Sequence, residues 1–248
     1  MKMVVANWKM HMSGAESERF FKDLMKEVTP GGVEVVIAPS NFALYSLSKI
    51  KQWQFSLAAQ NFYHMDYGAY TGETAVRQLV GVADYALVGH SERRQYFRET
   101  NKDTRRKVAA ALSVGVKPIL CVGETAMERE NKETDDVVRD QLLAGLADVT
   151  PTQLKDVVIA YEPRWAISTA KNVGVCTPED ARSALTFIRQ QLKELYGKTA
   201  RVLYGGSVKS DNIVSYLKKG EADGALVGGA SLQLKEFGDI IEATKAVR

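Results

Sequence analysis

Apolar residues along this chain fall into short, dense runs that recur from one end to the other. Eight of these runs are rich in β-branched residues and lie at residues 3–6, 33–38, 55–59, 85–88, 116–122, 157–161, 200–204 and 224–227. Near-continuous apolar runs of this length are typical of parallel strands that are covered on both faces. The pattern therefore predicts eight buried parallel strands.

The segments between these runs repeat their apolar residues with the period of a helix. In residues 180–196, one face carries Ala181, Ala184, Leu185, Ile188, Leu192 and Leu195. Residues 137–146 have a similar spacing, and the charged stretch 128–140 is typical of a solvated helix face. Thr177 and Thr150 each stand before a proline, as an N-cap hydroxyl does before the first helical residue. Helices are thus predicted to begin at both positions.

Strands that alternate with helices indicate a parallel sheet with helices outside it. Eight such units can close on themselves, so we expect an α/β fold, a (β/α)8 barrel that occupies residues 1–248 as one domain. The competing fold is an open, doubly wound sheet, which usually carries a Gly-x-Gly-x-x-Gly turn after its first strand. Here the first strand leads into residues 7–11, and no glycine occurs before Gly14. The barrel is strongly preferred.

Composition narrows the class of protein further. The net charge of +3 is small and the basic residues are spread along the chain, so neither nucleic acid nor a membrane surface is an expected partner. The start of the chain has no signal-peptide pattern, and no apolar run approaches the length of a membrane-spanning helix. Two cysteines are too few for a disulfide framework, and no metal-ligand spacing is present. These features favour a reducing, cytoplasmic setting.

Glu162 is the most informative candidate for chemistry. It directly follows the sixth predicted strand, and after it come Pro163 and an irregular stretch that lasts to Thr177. A buried strand that ends in a carboxylate and opens into a long loop is how a barrel enzyme presents a base beneath a movable lid. A lone glutamate here would more often be solvated in a turn, but other strand ends carry matching chemistry.

Cationic and imidazole side chains follow the first and fourth predicted strands. Asn7 and Lys9 come after the first strand, where an ammonium can hold an anionic substrate and offset developing negative charge. His90 comes after the fourth strand, with Glu92 and two arginines behind it, and a histidine there can donate a proton to a substrate oxygen. Taken alone, these residues could also be a surface lysine and a structural histidine.

Glycine pairs follow the last two predicted strands. Gly205 and Gly206 precede Ser207, and Gly228 and Gly229 follow the eighth strand. Such pairs let backbone N–H groups approach an anion closely, and the loops after strands seven and eight of a barrel commonly form a phosphate site. Either pair alone could be only a tight turn, but two pairs at these positions predict a phosphate ligand.

Several longer strings around these residues resemble those of triosephosphate isomerases. They are NWKM at 7–10, AQN at 59–61, GAYTGE at 68–73, GHSERR at 89–94, CVGET at 121–125, AYEP at 160–163, YGGSV at 204–208 and VGGAS at 227–231, in the order of that family. The resemblance runs from residue 4 to the last predicted helix and implies a TIM barrel. The family is itself a familiar example of tuned active-site pKa values and of a closing lid.

The resemblance implies a reaction that interconverts dihydroxyacetone phosphate and D-glyceraldehyde 3-phosphate through an enediolate. Glu162 would be the base that moves a proton between two carbons, and a neutral His90 would polarise the carbonyl oxygen. Lys9 would supply positive charge, with Asn7 as a further polar donor and Glu92 as support. The phosphate-binding residues would be Asn7, Lys9, Ser168, Ser207, Gly228 and Gly229, the last four through backbone N–H groups. No metal or organic cofactor is required, because the substrate has an acidic carbon beside a carbonyl.

The resemblance also implies a homodimer. Residues 68–73 are similar to the loop that reaches into the partner subunit in that family, and the contact would be made by Thr71, Gly72 and Glu73. Thr71 would approach a group of catalytic residues in the other subunit, namely Asn7, Lys9 and His90. The expected partners are therefore a small phosphorylated sugar and a second copy of the chain.

The lid segment departs from the family pattern. Arg164 stands where a small apolar residue is usual, Ser168 and Ala170 stand where glycines are usual, and residues 172–176 lengthen the approach to Thr177. Serine and alanine lack the φ freedom of glycine, so a closed lid that needs φ > 0 there costs roughly 1 kcal/mol or more. Reduced activity is the expected consequence.

Two other functions stay open. A related isomerase of a longer ketose phosphate, such as a tetrulose phosphate, would suit a longer lid. A non-catalytic phosphate-binding barrel is the other, although the presence of Glu162, His90 and Lys9 together argues against it. The cysteines give a separate expectation: Cys121 ends an apolar strand and should be buried and inert, whereas Cys176 lies in the lengthened hinge and should be accessible.

Overall fold

The structure, a computed structural model, describes residues 1–167 and 174–247. Its centre is a closed barrel of parallel strands in the order of the sequence, in which the first strand pairs with the last. The strands are β1 Met3–Asn7, β2 Glu34–Ala38, β3 Phe55–Ala59, β4 Tyr85–Val88, β5 Lys117–Val122, β6 Val158–Tyr161, β7 Arg201–Tyr204 and β8 Gly224–Val227. Each strand lies within a predicted run except β1, which extends one residue beyond its run, so the predicted (β/α)8 TIM barrel is confirmed.

Helices connect the strands and pack outside the barrel. They are α1 Gly14–Glu27, α2 Asn41–Ile50, α3 Ser91–Tyr96, α4 Asn101–Ser113, α5 Ala126–Glu130, α6 Thr134–Gly145, α7 Pro178–Tyr196, α8 Ile213–Lys218 and α9 Leu234–Lys245, with 3₁₀ helices at Val76–Leu79, Gln153–Asp156 and Gly229–Leu232. Within the described ranges, none of these helices is long and apolar enough to cross a membrane.

The start of α7 is fixed by a reciprocal cap. The Thr177 hydroxyl accepts a hydrogen bond from the Asp180 N–H, and the Asp180 carboxylate accepts one from the Thr177 N–H. Pro178 occupies the first helical position, where its missing N–H costs nothing. The predicted helix start at Thr177 is confirmed.

The predicted helix start at Thr150 is followed by a short 3₁₀ helix and not by an α-helix. Thr150 accepts a hydrogen bond from the Gln153 N–H, but the turn that follows is only the 3₁₀ helix Gln153–Asp156, because the chain enters β6 two residues later. The charged stretch 128–140 is likewise not one helix. It is divided between α5 and α6, with Lys132 in the left-handed region between them.

Apolar side chains from all eight strands fill the barrel interior: Met3, Val5, Val36, Ala38, Ala58, Leu87, Ile119, Cys121, Val158, Ala160, Leu203 and Leu226. At the amino-terminal ends of the strands, Tyr85 and Arg201 both donate hydrogen bonds to the Glu34 carboxylate. This polar group closes that end of the barrel. The loops that carry the candidate site residues lie at the opposite, carboxyl-terminal end, where barrel enzymes place their active sites.

Candidate active site

Glu162 directly follows β6 and is buried at the mouth of the barrel, with 2% of its surface exposed. One carboxylate oxygen lies 2.9 Å from His90 Nε2, and the other accepts a hydrogen bond of 2.8 Å from the Ser91 N–H. Burial by itself raises the pKa of Glu162, but His90 and the Ser91 N–H together hold the pKa below its ordinary value. The carboxylate is therefore ionised at neutral pH and is able to accept a proton.

Two glycines make room for Glu162. Gly123 follows β5 with a φ of +157°, and a Cβ added there would lie 2.0 Å from the Glu162 carbonyl oxygen. A Cβ added at Gly205, after β7, would lie 2.9 Å from Glu162 Cγ. Since neither position has space for a side chain, both glycines are required for Glu162 to sit between these strand ends.

His90 is oriented by the start of α3, of which it is the N-cap residue. Its Nδ1 accepts a hydrogen bond of 3.3 Å from the Glu92 N–H, and the amide nitrogen of Asn7 lies 3.2 Å from its Nε2. A neutral ring in this position carries its proton on Nε2, which faces Glu162. Burial favours that neutral ring, but the Glu162 carboxylate opposes it and the pKa of His90 is raised above its ordinary value. The pairing with Glu162 thus works against the neutral His90 that the sequence predicts.

Lys9 is held in an uncommon backbone conformation, with a φ of +51°. Its N–H donates to the Asn7 side-chain oxygen at 3.0 Å, and its carbonyl accepts a hydrogen bond of 2.9 Å from the Gln60 amide. The same Gln60 amide donates to the Ala38 carbonyl, which ties Lys9 to the end of β2. The ammonium lies 2.7 Å from the Glu92 carboxylate. Strained residues of this kind persist only where their surroundings fix them, and they concentrate at functional sites.

The turns after β7 and β8 bring backbone N–H groups to the same cavity. Within the described ranges, the N–H groups of Ser207, Gly228 and Gly229 donate no hydrogen bond to the protein. A Cβ added at Gly228 would lie 3.7 Å from Lys9 Nζ, so the ammonium stands beside this turn. Unbonded N–H groups next to an ammonium form a site that suits a phosphate.

A cavity of about 380 Å³ unites these groups. The site residues that line it are Asn7, Lys9, His90, Glu162, Ser207, Gly228 and Gly229. In the part of the chain that the structure describes, no cluster of three or more histidine, cysteine or acidic side chains is placed to hold a metal ion. The cavity thus combines a carboxylate, an imidazole, an ammonium and a pair of N–H-lined turns.

Comparison with known proteins identifies the family of the chain. The family model described as Triosephosphate isomerase matches residues 2–244. The chain belongs to the triosephosphate isomerase family. The family resemblance inferred from the sequence is therefore confirmed, and it extends over nearly the whole chain.

Relatives with the name triosephosphate isomerase align with nearly all of the chain. The protein of Caldanaerobacter subterraneus subsp. tengcongensis is 44% identical over 96% of this chain and 98% of the relative. That of Symbiobacterium thermophilum is 43% identical over 99% of this chain and 98% of the relative. That of Alkaliphilus metalliredigens is 42% identical over 96% and 98%, respectively.

Most residues that the sequence suggests for a triosephosphate isomerase site lie together. All but two line the cavity of about 380 Å³, and of those two Glu92 is paired with Lys9 at its edge. The other, Ser168, lies outside the described residues, as do Ala170 and residues 172–173 of the lid. Arg164 is described and is partly buried, with its N–H donating to the Glu124 carbonyl at 3.1 Å.

Sequence reasoning missed residues that support the site. Gln60 positions Lys9, and it could have been found because it is a polar residue directly after β3. Ser91 contributes only its backbone N–H to Glu162, so no side-chain signal exists. Glu124 accepts hydrogen bonds from Tyr161 and from the Trp165 indole and so holds the chain on both sides of Glu162.

The residues expected to contact a second subunit lie in a projecting loop. Thr71, Gly72 and Glu73 are all exposed. The base of the loop is closed by a hydrogen bond of 2.7 Å from the Tyr63 N–H to the Thr74 carbonyl. On the same side of the site, a second cavity of about 240 Å³ is lined by residues that include Asn7, Lys9, Met10, Gln60, His90 and Phe97.

The expectation of an accessible Cys176 is wrong. Its exposed fraction is 2%, and burial raises the pKa of its thiol to about 12. The hinge folds back onto the barrel because the Gly174 N–H donates to the Trp165 carbonyl and the Tyr216 hydroxyl donates to the Cys176 carbonyl. Cys121 is buried in the barrel interior, as predicted.

Proposed function

We propose that this chain is a triose-phosphate isomerase, an intramolecular oxidoreductase that interconverts dihydroxyacetone phosphate and D-glyceraldehyde 3-phosphate. The observation that carries the proposal is the cavity in which Glu162 and His90 stand beside Lys9 and the turns at Ser207 and Gly228. Membership of the family supports the choice of substrate, because the aligned relatives carry the name of that enzyme.

Glu162 is the base in the proposed reaction. Its carboxylate removes a proton from the carbon beside the carbonyl of dihydroxyacetone phosphate, the electron pair of that C–H bond moves toward the carbonyl oxygen, and an enediolate forms. The proton then returns to the former carbonyl carbon, while His90 gives a proton to the oxygen on that carbon and takes one from the hydroxyl oxygen on the other carbon, which gives D-glyceraldehyde 3-phosphate. Two features support the assignment: the carboxylate is buried, and its pKa is held below the ordinary value.

His90 acts on the substrate oxygens in this scheme. When Glu162 turns toward a substrate carbon, it leaves His90 Nε2, and the charge that raises the pKa of His90 moves away with it. The Glu92 N–H that donates to Nδ1 then favours the neutral ring, which offers its Nε2 proton to the carbonyl oxygen. Lys9 and Asn7 offset the negative charge of the enediolate.

The phosphate is held by the turns after β7 and β8. The unbonded N–H groups of Ser207, Gly228 and Gly229 and the ammonium of Lys9 support this role, and we include Ser168 on the basis of the sequence alone. A firmly held phosphate keeps the enediolate from expelling it. The substrate supplies its own acidic carbon, so the proposed reaction uses no metal or organic cofactor.

A steady-state assay tests the proposal. Purified protein should convert D-glyceraldehyde 3-phosphate to dihydroxyacetone phosphate, and it should act on it better than on a four-carbon ketose phosphate supplied at the same concentration. A preference for the four-carbon substrate would identify the related isomerase instead. Binding of inorganic phosphate without turnover of either sugar would indicate a non-catalytic barrel.

We further propose that residues 1–248 form one catalytic domain, that it functions as a homodimer and that it works in the cytoplasm. The barrel, closed by pairing of β1 with β8, supports the single domain. Two features support the dimer: Thr71 lies in an exposed loop, and the second cavity beside His90 offers a space that such a loop of another subunit could enter. Two unpaired, buried cysteines fit a reducing compartment.

A further inference from the structure

Tyr216 is a buried phenol for which the proposed reaction has no use. It lies on α8 with 6% of its surface exposed, and its hydroxyl donates a hydrogen bond of 2.7 Å to the Cys176 carbonyl. Cys176 directly precedes Thr177, the N-cap of α7. The bond therefore joins α8 to the residue that precedes the N-cap of α7.

The ring of Tyr216 also supports the turn after β7. It stacks on Tyr204, the last residue of that strand, with ring centroids 4.0 Å apart and an interplanar angle of 17°. Tyr204 is almost fully buried, and within the described ranges its hydroxyl has no hydrogen-bond partner. The stack on Tyr216 is therefore one of the contacts that hold the Tyr204 ring in place.

The Tyr204 hydroxyl in turn lies against the proposed phosphate site. A Cβ added at Gly206 would be 2.2 Å from the Tyr204 hydroxyl oxygen, so the turn passes directly over that oxygen. Gly206 and Ser207 both line the cavity of about 380 Å³, and the Ser207 N–H is one of the groups proposed to bind the phosphate. A shift of the Tyr204 ring would therefore displace this N–H group.

We infer that Tyr216 is a positioning residue for phosphate binding, and this inference rests on the proposed function of the same site. Its hydroxyl, anchored on the Cys176 carbonyl, fixes the ring on which Tyr204 is stacked. Tyr204 then holds the turn at Gly206 and Ser207 in place. Without the hydroxyl, the buried Cys176 carbonyl loses its donor, and the stack loses its attachment to the start of α7.

Tyr216→Phe tests the inference because it keeps the ring and removes only the donor. We expect the dissociation constant for inorganic phosphate, measured by titration calorimetry, to rise about three- to tenfold, and the KM for D-glyceraldehyde 3-phosphate to rise by a similar factor while kcat stays within about twofold. Tyr216→Met, which fills the space without a hydroxyl, is the second variant should Y216F fail to fold, and the same rise is expected.

Tyr196→Phe is the matched control. The Tyr196 hydroxyl also donates to a backbone carbonyl, that of Leu146 at 2.9 Å, but it lies at the far end of α7. Both variants should lose thermal stability to a similar degree, whereas only Y216F should weaken phosphate binding. Unchanged phosphate affinity in Y216F, or an equal loss in Y196F, would overturn the inference. Wild-type protein that binds phosphate but lacks isomerase activity would contradict the proposed function and leave this comparison valid.

Discussion

At the scale of single residues, Glu162 is the side chain on which the proposed reaction depends most. Glu162→Gln should leave the fold intact, since an amide oxygen can still accept the Ser91 N–H at the same place. An amide cannot take up a carbon-bound proton, so the loss of turnover should be about 10²–10⁴-fold or more. Steady-state assays check this, with Glu130→Gln on the exposed end of α5 as the control. More than a tenth of wild-type turnover in E162Q would exclude Glu162 as the base.

Lys9 should affect both binding and rate. Its ammonium stands beside Gly228 and is bound to Glu92, so Lys9→Met removes positive charge from the proposed phosphate and enediolate sites together. We therefore expect a higher KM and a lower kcat for D-glyceraldehyde 3-phosphate. Lys26→Met, at an exposed lysine of α1, should change neither constant. If both constants of K9M stay within about twofold of the wild type, the lysine has no role in the reaction.

The sequence predicts which polar residues lie at the strand ends, but it does not predict the distances between their side chains or the effects of these contacts on their pKa values. Glu162, His90 and Lys9 each follow an apolar run, which is enough to bring them to one edge of a barrel. The 2.9 Å contact between His90 and Glu162 is what raises the pKa of His90, and that distance depends on two strands that are far apart in sequence. Lys9, with its strained φ, is likewise hydrogen-bonded to Gln60, which lies 51 residues later in the sequence.

At the scale of elements, the start of α7 is more protected than its sequence indicates. Burial raises the pKa values of both thiols, so neither Cys121 nor Cys176 should react readily with Ellman's reagent in the native protein. Both should react in guanidinium chloride. Rapid native labelling of Cys176, located by mass spectrometry of the digested protein, would show that residues 174–176 leave the barrel surface often.

Local sequence signals placed the elements well where the element is long and regular. All eight strands lie within or next to the apolar runs, because a strand that is covered on both faces has little choice of residue. The α-helix predicted after Thr150 is wrong because too few residues separate Thr150 from β6. An N-cap residue marks where a helix can begin but does not determine how long it is. The prediction that Cys176 is accessible is wrong because Tyr216, which contacts it, lies forty residues later and gives no local signal at Cys176.

At the scale of the whole molecule, the buried carboxylate of Glu99 should contribute to stability in a way that depends on pH. Glu99, between α3 and α4, accepts hydrogen bonds from the Gly89 N–H, from Arg93 and from Lys107. Burial raises its pKa, but Lys107, Arg93 and the Gly89 N–H outweigh burial and hold the pKa below the ordinary value. A carboxyl with a lowered folded-state pKa contributes stability above its unfolded pKa of about 4.3, and the contribution disappears as the pH falls through the folded pKa.

Glu99→Gln should therefore destabilise the protein most at neutral pH. We expect a loss of about 2–3 kcal/mol at pH 7, because a buried lysine is left without its carboxylate, and a difference that shrinks toward zero in acid. Urea unfolding at a series of pH values measures this. Asp136→Asn, which breaks an exposed ion pair with Arg139 on α6, should change stability little at any pH. A loss in E99Q that is independent of pH would mean that shape, rather than charge, is what Glu99 provides.

The proposed dimer makes the activity of one barrel depend on a loop of another. The loop at Thr71 is exposed and closed at its base, the second cavity beside Lys9 and His90 is open, and Met10, Tyr67 and Phe97 expose large apolar surfaces around them. In the proposed dimer, an arginine at the loop tip would bring a further positive charge beside Lys9 and Arg93, which line this cavity. Thr71→Arg should therefore give monomers in sedimentation at micromolar concentration and lower turnover, because Lys9 and His90 then face water on that side.

Thr152→Arg, at an exposed threonine before β6, is the control and should sediment and turn over as the wild type does. A monomeric wild type, or a T71R variant that stays dimeric and fully active, would show that this loop has another purpose.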